Sequence, residues 1–327
     1  SAPAQIPGLE MDGERIIGST EALELAEVPK RVAVIGAGAL GAEFACIWNA
    51  FGSEVTLIEM LPNVLPLEDE ELTKRLATLF KKRGMKVLTG TTVKSMSRKG
   101  NTITLELSGA KEDSIKVDYV LVGIGVRYNS SAVTGEPALG VKLTEKGAIA
   151  VDARMETNIP GIYAIGDVTG KTMLAHGASA EAIVAAENAT GGNRVMDYRV
   201  LPACTFTSPE LASVGLTEKE ASEKVESVAA GRFGYRASGR AHAIGETEGM
   251  VKIVSDATTG EVLGVHIMGA EAGELIASAA MAMKLEATAE EIADTIHTHP
   301  TLSETIKEAA EDVLGLSIHT PPRKAKR

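Results

Sequence analysis

The stretch Arg31-Val-Ala-Val-Ile-Gly36-Ala-Gly38-Ala-Leu-Gly41 decides the fold. Residues 31–35 form a short apolar run that ends in glycine, the pattern of a buried strand. Residues 39–51 follow with helical spacing, Leu40, Phe44, Ile47 and Trp48 being apolar. A Gly-x-Gly-x-x-Gly between strand and helix is the dinucleotide fingerprint, strong here because both flanking elements are present. Gly36 permits the tight turn, Gly38 lets the backbone approach a pyrophosphate, and Gly41 lets helix and strand pack closely. The pyrophosphate is expected on the helix N-terminus, across Gly36, Ala37, Gly38, Ala39, Leu40 and Gly41, where free N–H groups and the helix dipole favour an anion. The alternative is a glycine turn in an α/β sheet that binds nothing.

Residues 54–59 read as a second strand, which ends in Glu59. A carboxylate there accepts hydrogen bonds from an adenosine ribose and repels a 2′-phosphate. Met60-Leu61-Pro62 offers no arginine to receive one, so NAD is expected rather than NADP. Glu43 lies on the first turn of the helix. It is either a solvent-facing residue or one that leans toward the nicotinamide half. Residues 68–83 carry Leu72, Leu76, Leu79 and Phe80 at helical spacing, with Gly84 as a stop. This strand–helix–strand–helix order predicts a parallel sheet with right-handed crossovers.

From residue 86 the pattern changes. Thr102-Ile-Thr-Leu-Glu-Leu107 alternates with period two and Ile115-Lys-Val117 follows, an antiparallel insertion closed by the buried run 119–124. Further on, a strand is expected at 161–165 and an alanine-rich helix at 175–189. After Leu201 strands come first (204–207, 251–255, 262–268) and helices last (271–285, 290–295, 303–314), the mark of an α+β domain. The opening Ser1-Ala-Pro-Ala-Gln-Ile-Pro-Gly8 reads as a loop.

Bulk properties narrow the function classes. Lys+Arg 33 against Asp+Glu 44 gives a net charge of −11, which argues against nucleic-acid binding. The basic cluster Arg323-Lys324-Ala325-Lys326-Arg327 is a terminal tail, expected to be a disordered end. No apolar run reaches transmembrane length and no signal peptide is visible, so no membrane association is expected. Two cysteines, Cys46 and Cys204, do not make a disulfide framework and fit a reducing compartment, the cytoplasm.

Near the C-terminus stands His297-Thr298-His299-Pro300-Thr301-Leu302-Ser303-Glu304. A histidine, with a pKa of about 6.5, exchanges protons readily with a thiol of about 8.5, and a carboxylate partner fixes its tautomer. Read locally, Thr301-x-x-Glu304 is equally a capping box that starts a helix. The two histidines suggest a metal, but no ligand-spaced cysteines or carboxylates accompany them, and no metal is expected. Ile162-Tyr-Ala-Ile-Gly166-Asp167 ends a short strand in Gly-Asp. Alone, Asp167 is a turn carboxylate and His176 a capping or packing residue.

Together these motifs resemble dihydrolipoyl dehydrogenases of the flavoprotein disulfide reductase family. The resemblance covers Val34–Gly38, Glu59, Gly123-Ile-Gly125, Gly161 to Asp167, Thr205-Phe-Thr-Ser-Pro-Glu210, Gly249-Met-Val-Lys252 and the His299 motif. Mercuric reductases have tyrosine at His299, and glutathione reductases carry arginines for NADP that are absent here. The resemblance implies an α/β fold: a Rossmann-type NAD-binding domain (28–125), the remainder of an FAD-binding domain (126–202) and an α+β dimerisation domain (203–327). Residues 1–27 would be the exit from an N-terminal FAD-binding portion with its own glycine fingerprint and a Cys-x4-Cys redox disulfide. This chain has neither and is expected to be the C-terminal part of a longer enzyme, inactive alone. Val93 and Gly125 would line the NAD site. Asp167 would meet the ribityl and phosphate region of FAD, and Met173, Leu174, Ala175 and His176 its isoalloxazine edge.

The activity implied is oxidation of dihydrolipoamide with NAD through FAD and a redox disulfide. His299 would be the acid–base catalyst, oriented by Glu304 and serving the partner subunit of a homodimer. The lipoyl domain of a 2-oxoacid dehydrogenase or glycine cleavage complex would be the partner. Where the family has Gly-Arg-Arg-Pro-Asn this chain has Gly125-Val-Arg127-Tyr128-Asn129, so the site edge differs. Two other readings are a non-catalytic NAD-binding dimerisation module and a related pyridine nucleotide-disulfide oxidoreductase.

Overall fold

A computed structural model describes residues 1–109, 113–134 and 139–320; the basic tail 323–327 lies outside the described residues. The chain forms two compact units. One joins Ser1–Ala4 to Ile124–Leu201, and the other joins Gln5–Gly123 to the residues from Pro202 onward.

The larger unit is built on a five-stranded parallel sheet. Its order is Ile16–Ile17, Tyr119–Val122, Arg31–Ile35, Glu54–Ile58, Lys86–Leu88. Both faces are apolar, as buried parallel strands require. Val32, Val34, Leu57 and Leu121 point to one face, where they meet Phe44 and Trp48 of helix Ala39–Ala50 and Leu72, Leu76 and Phe80 of helix Glu70–Lys82. Ala33, Ile35, Ile58 and Val120 point to the other. There a three-stranded antiparallel sheet (Thr92–Lys99, Thr102–Ser108, Asp113–Val117) presents Ile103, Leu105 and Leu107. The period-two stripe of residues 102–107 therefore covers a sheet face that a helix would otherwise cover.

The buried stripe of helix Ala39–Ala50 is shifted from the one its sequence suggests. Gly41, Ala42, Phe44, Ala45 and Trp48 face inward, whereas Leu40 and Ile47 are exposed. Small residues occupy the inner face because helix and sheet approach closely.

The C-terminal part of this unit is a five-stranded antiparallel sheet. Its order is Ala203–Thr205, Glu210–Gly215, Val262–Gly269, Met250–Asp256, Val228–Gly234. Helices Ala272–Lys284 and Glu304–Val313 pack on it, and Ala289–Asp294 packs on the latter. Strands Glu210–Gly215 and Val228–Gly234 are not evident from the sequence. They are rich in Ala, Gly and Ser, and what recruits them is pairing with neighbours rather than intrinsic preference. Leu211, Met250 and Met268 of this sheet share one buried cluster with the helices of the parallel sheet.

The smaller unit has two small apolar clusters, around Val141, Ile149 and Ala164 and around Met155, Val184 and Ala185. Helix Ala175–Ala189 forms as expected. The expected strand at 161–165 does not. The segment makes one isolated bridge, Glu156 to Tyr163, because it pairs with a tight turn too short to form a ladder. The opening segment is also more than a loop: Ala2–Pro3 pairs antiparallel with Val126–Arg127. Among the described residues no helix is long and apolar enough to cross a membrane.

Candidate dinucleotide and proton-transfer sites

Strand Arg31–Ile35 delivers the chain into Gly36, whose φ of +95° is left-handed and open to glycine. Gly38 caps helix Ala39–Ala50, and a Cβ there would meet nothing within 4 Å. The ground in front of Gly38 is therefore open, with Ala39 and Leu40 exposed beside it. The first N–H groups of a helix lack partners within it, so they face this space. Gly41 is the opposite case: a Cβ would fall 1.9 Å from the Gly36 carbonyl oxygen. Gly36 thus makes the turn and Gly41 the close packing, and the open space at Gly38 has room for a dinucleotide pyrophosphate.

Ala37 differs from its neighbours. It is fully buried, and its N–H donates to Glu59 Oε2 at 2.7 Å. Glu59 is 7% exposed and also accepts the Leu61 N–H on Oε1 at 2.8 Å. Each carboxylate oxygen keeps a second acceptor position for a ribose hydroxyl. The residue thus both shapes the turn and presents charge beside it. Glu43 is half-buried, and its Oε1 accepts the Phe206 N–H at 2.8 Å. It ties the fingerprint helix to the C-terminal part. Val93, paired with Leu107, is half-buried against the cluster of Ile35 and Ile58.

Neither cysteine is an activated thiol. Burial pushes the Cys46 thiol up. Burial, reinforced by Glu210, Glu43 and Glu68, pushes that of Cys204 up to about 12. Thiols held protonated are poor nucleophiles.

The histidine pair lies at the start of helix Glu304–Val313. His299 Nδ1 is 2.9 Å from Glu304 Oε1, while Glu304 Oε2 accepts the Thr301 N–H at 2.8 Å. The carboxylate supports the ring, but the capping-box reading fails: the helix begins at Glu304 with Ser303 as its N-cap, so Thr301 lies ahead of the cap. The Thr301 hydroxyl donates instead to the Thr298 carbonyl. Burial pulls the Glu304 pKa upward, but the Thr301 N–H and His299 outweigh it and hold it below its ordinary value. The His299 side chain is 78% exposed. His297 turns away to the Thr295 carbonyl, 2.9 Å from its Nδ1.

In the smaller unit Gly166 has φ +72° and opens the short helix Gly166–Thr169. Asp167 is half-buried and accepts a hydrogen bond from the Ser1 hydroxyl. The residue that holds this turn is one the sequence reading passed over. Glu181, fully buried on helix Ala175–Ala189, accepts the Gly166 N–H at 2.6 Å and the Tyr198 hydroxyl at 2.7 Å. Its only signal was a carboxylate on the inner face of an alanine-rich helix. Leu174 caps that helix, and Met173, Ala175 and His176 are exposed along its entrance. Gly125, left-handed at φ +101°, accepts the Ala4 N–H. An exposed strip beside a fixed carboxylate fits the flavin-contact roles expected of these residues.

A glycine turn on a parallel sheet, an acidic strand end and an exposed histidine–carboxylate pair define a dinucleotide-dependent oxidoreductase class. The comparisons make this specific. Residues 1–182 match the pyridine nucleotide-disulphide oxidoreductase family, and residues 201–310 match its dimerisation domain. The chain belongs to that family, whose enzymes use FAD and NAD.

It is 46% identical over 323 residues to dihydrolipoyl dehydrogenase of Thermus scotoductus, covering 98% of this chain and 69% of that one. It is 43% identical over 317 residues to dihydrolipoyl dehydrogenase of Rhizobium etli, covering 96% and 66%. Among solved structures, LpdA of Mycobacterium tuberculosis superposes with a TM-score of 0.86 at 30% identity, covering 95% of this chain and 67% of that one. The HOCl-induced flavoprotein disulfide reductase RclA of Escherichia coli, as its Cu(II) complex, does so with a TM-score of 0.86 at 28% identity, covering 95% and 70%. The chain thus spans about two thirds of the length of these relatives.

Proposed function

We propose that these residues form the NAD-binding and dimerisation part of a dihydrolipoyl dehydrogenase. The observation that carries the reading is the His299–Glu304 pair, with one ring nitrogen 2.9 Å from the carboxylate and the ring otherwise exposed. Glu304 accepts a hydrogen bond from Nδ1–H, which keeps the proton on Nδ1, fixes the tautomer and leaves Nε2 as the acceptor. Nε2 takes the proton of an incoming dihydrolipoamide thiol and returns it when the thiol is re-formed. The charge that develops on the ring is opposed by a carboxylate kept ionised by the Thr301 N–H. When bound, FAD and NAD supply the electron-accepting chemistry that no side chain here can.

Gly36 to Gly41, together with Glu59, orient NAD, with Glu43, Val93 and Gly125 assigned to the rim of its site. Asp167 and residues 173–176 are assigned to FAD. Cys46 and Cys204, held as thiols, are not the redox pair, so the disulfide comes from outside this stretch. In the homodimer His299 serves the active site of the partner subunit, and the substrate arm belongs to a lipoyl domain of a 2-oxoacid dehydrogenase or glycine cleavage complex. The two unpaired cysteines favour the cytoplasm.

A second reading, a non-catalytic NAD-binding dimerisation module, is favoured by the unreactive cysteines alone. The test is NADH formation from dihydrolipoamide and NAD. The enzyme that contains these residues should catalyse it, and the 327-residue chain alone should not. Turnover by the chain alone, or none by the longer enzyme, would overturn the proposal.

A further inference from the structure

We infer that Lys252 is a positioning residue for the dinucleotide site, acting through Asp69 and the segment that joins Glu59 to helix Glu70–Lys82. The inference rests on the dinucleotide reading of the Gly36–Gly41 turn.

The centre of that turn is gripped on both sides by this one segment. Glu59 takes the Ala37 N–H, and the Leu65 N–H donates to the Ala37 carbonyl at 2.8 Å. Between these grips the path is closely fixed. The Leu61 carbonyl accepts the Gly90 N–H, Val64 and Leu65 are buried, and Leu65 sits at a left-handed φ of +44°. A non-glycine residue keeps that conformation only where its surroundings impose it. The orientation of Ala37, and of the free N–H groups that follow it, therefore depends on where residues 59–69 are held.

The far end is held by a lysine from the C-terminal sheet. Asp69 caps helix Glu70–Lys82 by accepting the Glu71 N–H. Lys252 Nζ donates to both of its oxygens, at 2.9 and 2.7 Å, and both side chains are 3% exposed. Lys252 also meets Glu218 at 2.7 Å, and Arg232 joins Glu71 and Glu218 at 2.6 Å each. Lys252 and Arg232 thus share three carboxylates, with Arg75 also on Glu71, but of these cations only Lys252 bonds Asp69. Removing it leaves a buried carboxylate without its cation at the hinge of the segment. A lysine buried in strand Met250–Asp256 between Val251 and Ile253 is costly to keep for packing alone.

The experiment is an NADH fluorescence titration of the 327-residue chain and two variants, Lys252→Met and Arg232→Met, each with its melting temperature. Both variants break the charge cluster, and both should melt lower. Lys252→Met should weaken NADH by roughly tenfold, whereas Arg232→Met should stay within about twofold of the parent. If Lys252→Met does not fold, Asp69→Asn takes its place with the same expectation, since asparagine still caps a helix. Unchanged NADH affinity in Lys252→Met, or an equal loss in Arg232→Met, would overturn the inference while leaving the dinucleotide reading intact. A parent chain that does not bind NADH would overturn both.

Discussion

The Gly36–Gly41 turn and the His299–Glu304 pair are each encoded by a few neighbouring residues, yet one is finished within its fold and the other is not. At the turn, the Ala37 N–H and the Glu59 carboxylate satisfy each other behind an open face at Gly38. At the pair, Glu304 is satisfied on both oxygens, while the ring it supports is 78% exposed. The first would be a preformed site for a diffusing dinucleotide, as proposed above. The second is ordered on one nitrogen and open on the other, and under the proposed function that open side meets a surface of the partner subunit. The pair lies within residues 201–310, which match the dimerisation domain.

The comparison breaks most visibly at His299. In a dihydrolipoyl dehydrogenase that contains these residues, as proposed above, His299→Gln should lower dihydrolipoamide turnover by about 10²- to 10⁴-fold, the usual worth of a general acid–base group. NADH affinity should not move, and a parallel loss would show that the two regions are not independent. Gly41→Val is the converse. Its Cβ would lie 1.9 Å from the Gly36 carbonyl oxygen, an overpacking of about 1–3 kcal/mol. Thermal melting and NADH titration should fall together. Glu59→Ala should narrow the preference for NADH over NADPH by about 1 kcal/mol, roughly fivefold. It should also destabilise the chain by about 1–3 kcal/mol, because the Ala37 and Leu61 N–H groups lose their acceptor.

The histidine side can be sharpened by pH. The Glu304 pKa is depressed in the fold, so its contribution to stability is present above the ordinary value of 4.5 and is lost as pH falls through the depressed value. Acid unfolding of Glu304→Gln should lack that contribution and begin from a lower plateau. The smallest effect belongs to Arg98→Ala. Its pairs with Asp12 and Glu14 are surface ones, and its melting curve should shift by no more than about 0.5 kcal/mol.

What the sequence shows in advance follows the same division. The glycine turn, the acidic strand end and the His299–Glu304 spacing are legible because the partners lie within one strand–turn–helix or one helix start. Lys252 with Asp69 and Glu181 with Gly166 are not, because each pair is brought together by tertiary packing between remote segments. Strands Glu210–Gly215 and Val228–Gly234 were hidden for a related reason: small residues fill positions where neighbours, not propensity, decide. The expected strand at 161–165 fails by the same logic in reverse. Its residues suit a strand, but its neighbour is a turn.

The measurement that bears most directly on this account is a calorimetric titration of the purified 327-residue chain with NADH and then, separately, with NADPH. The account predicts saturable binding of one NADH per chain and distinctly weaker NADPH, with no other component present. Failure to bind NADH, or equal affinity for the two, would contradict a dinucleotide site completed within this fold and guarded by Glu59.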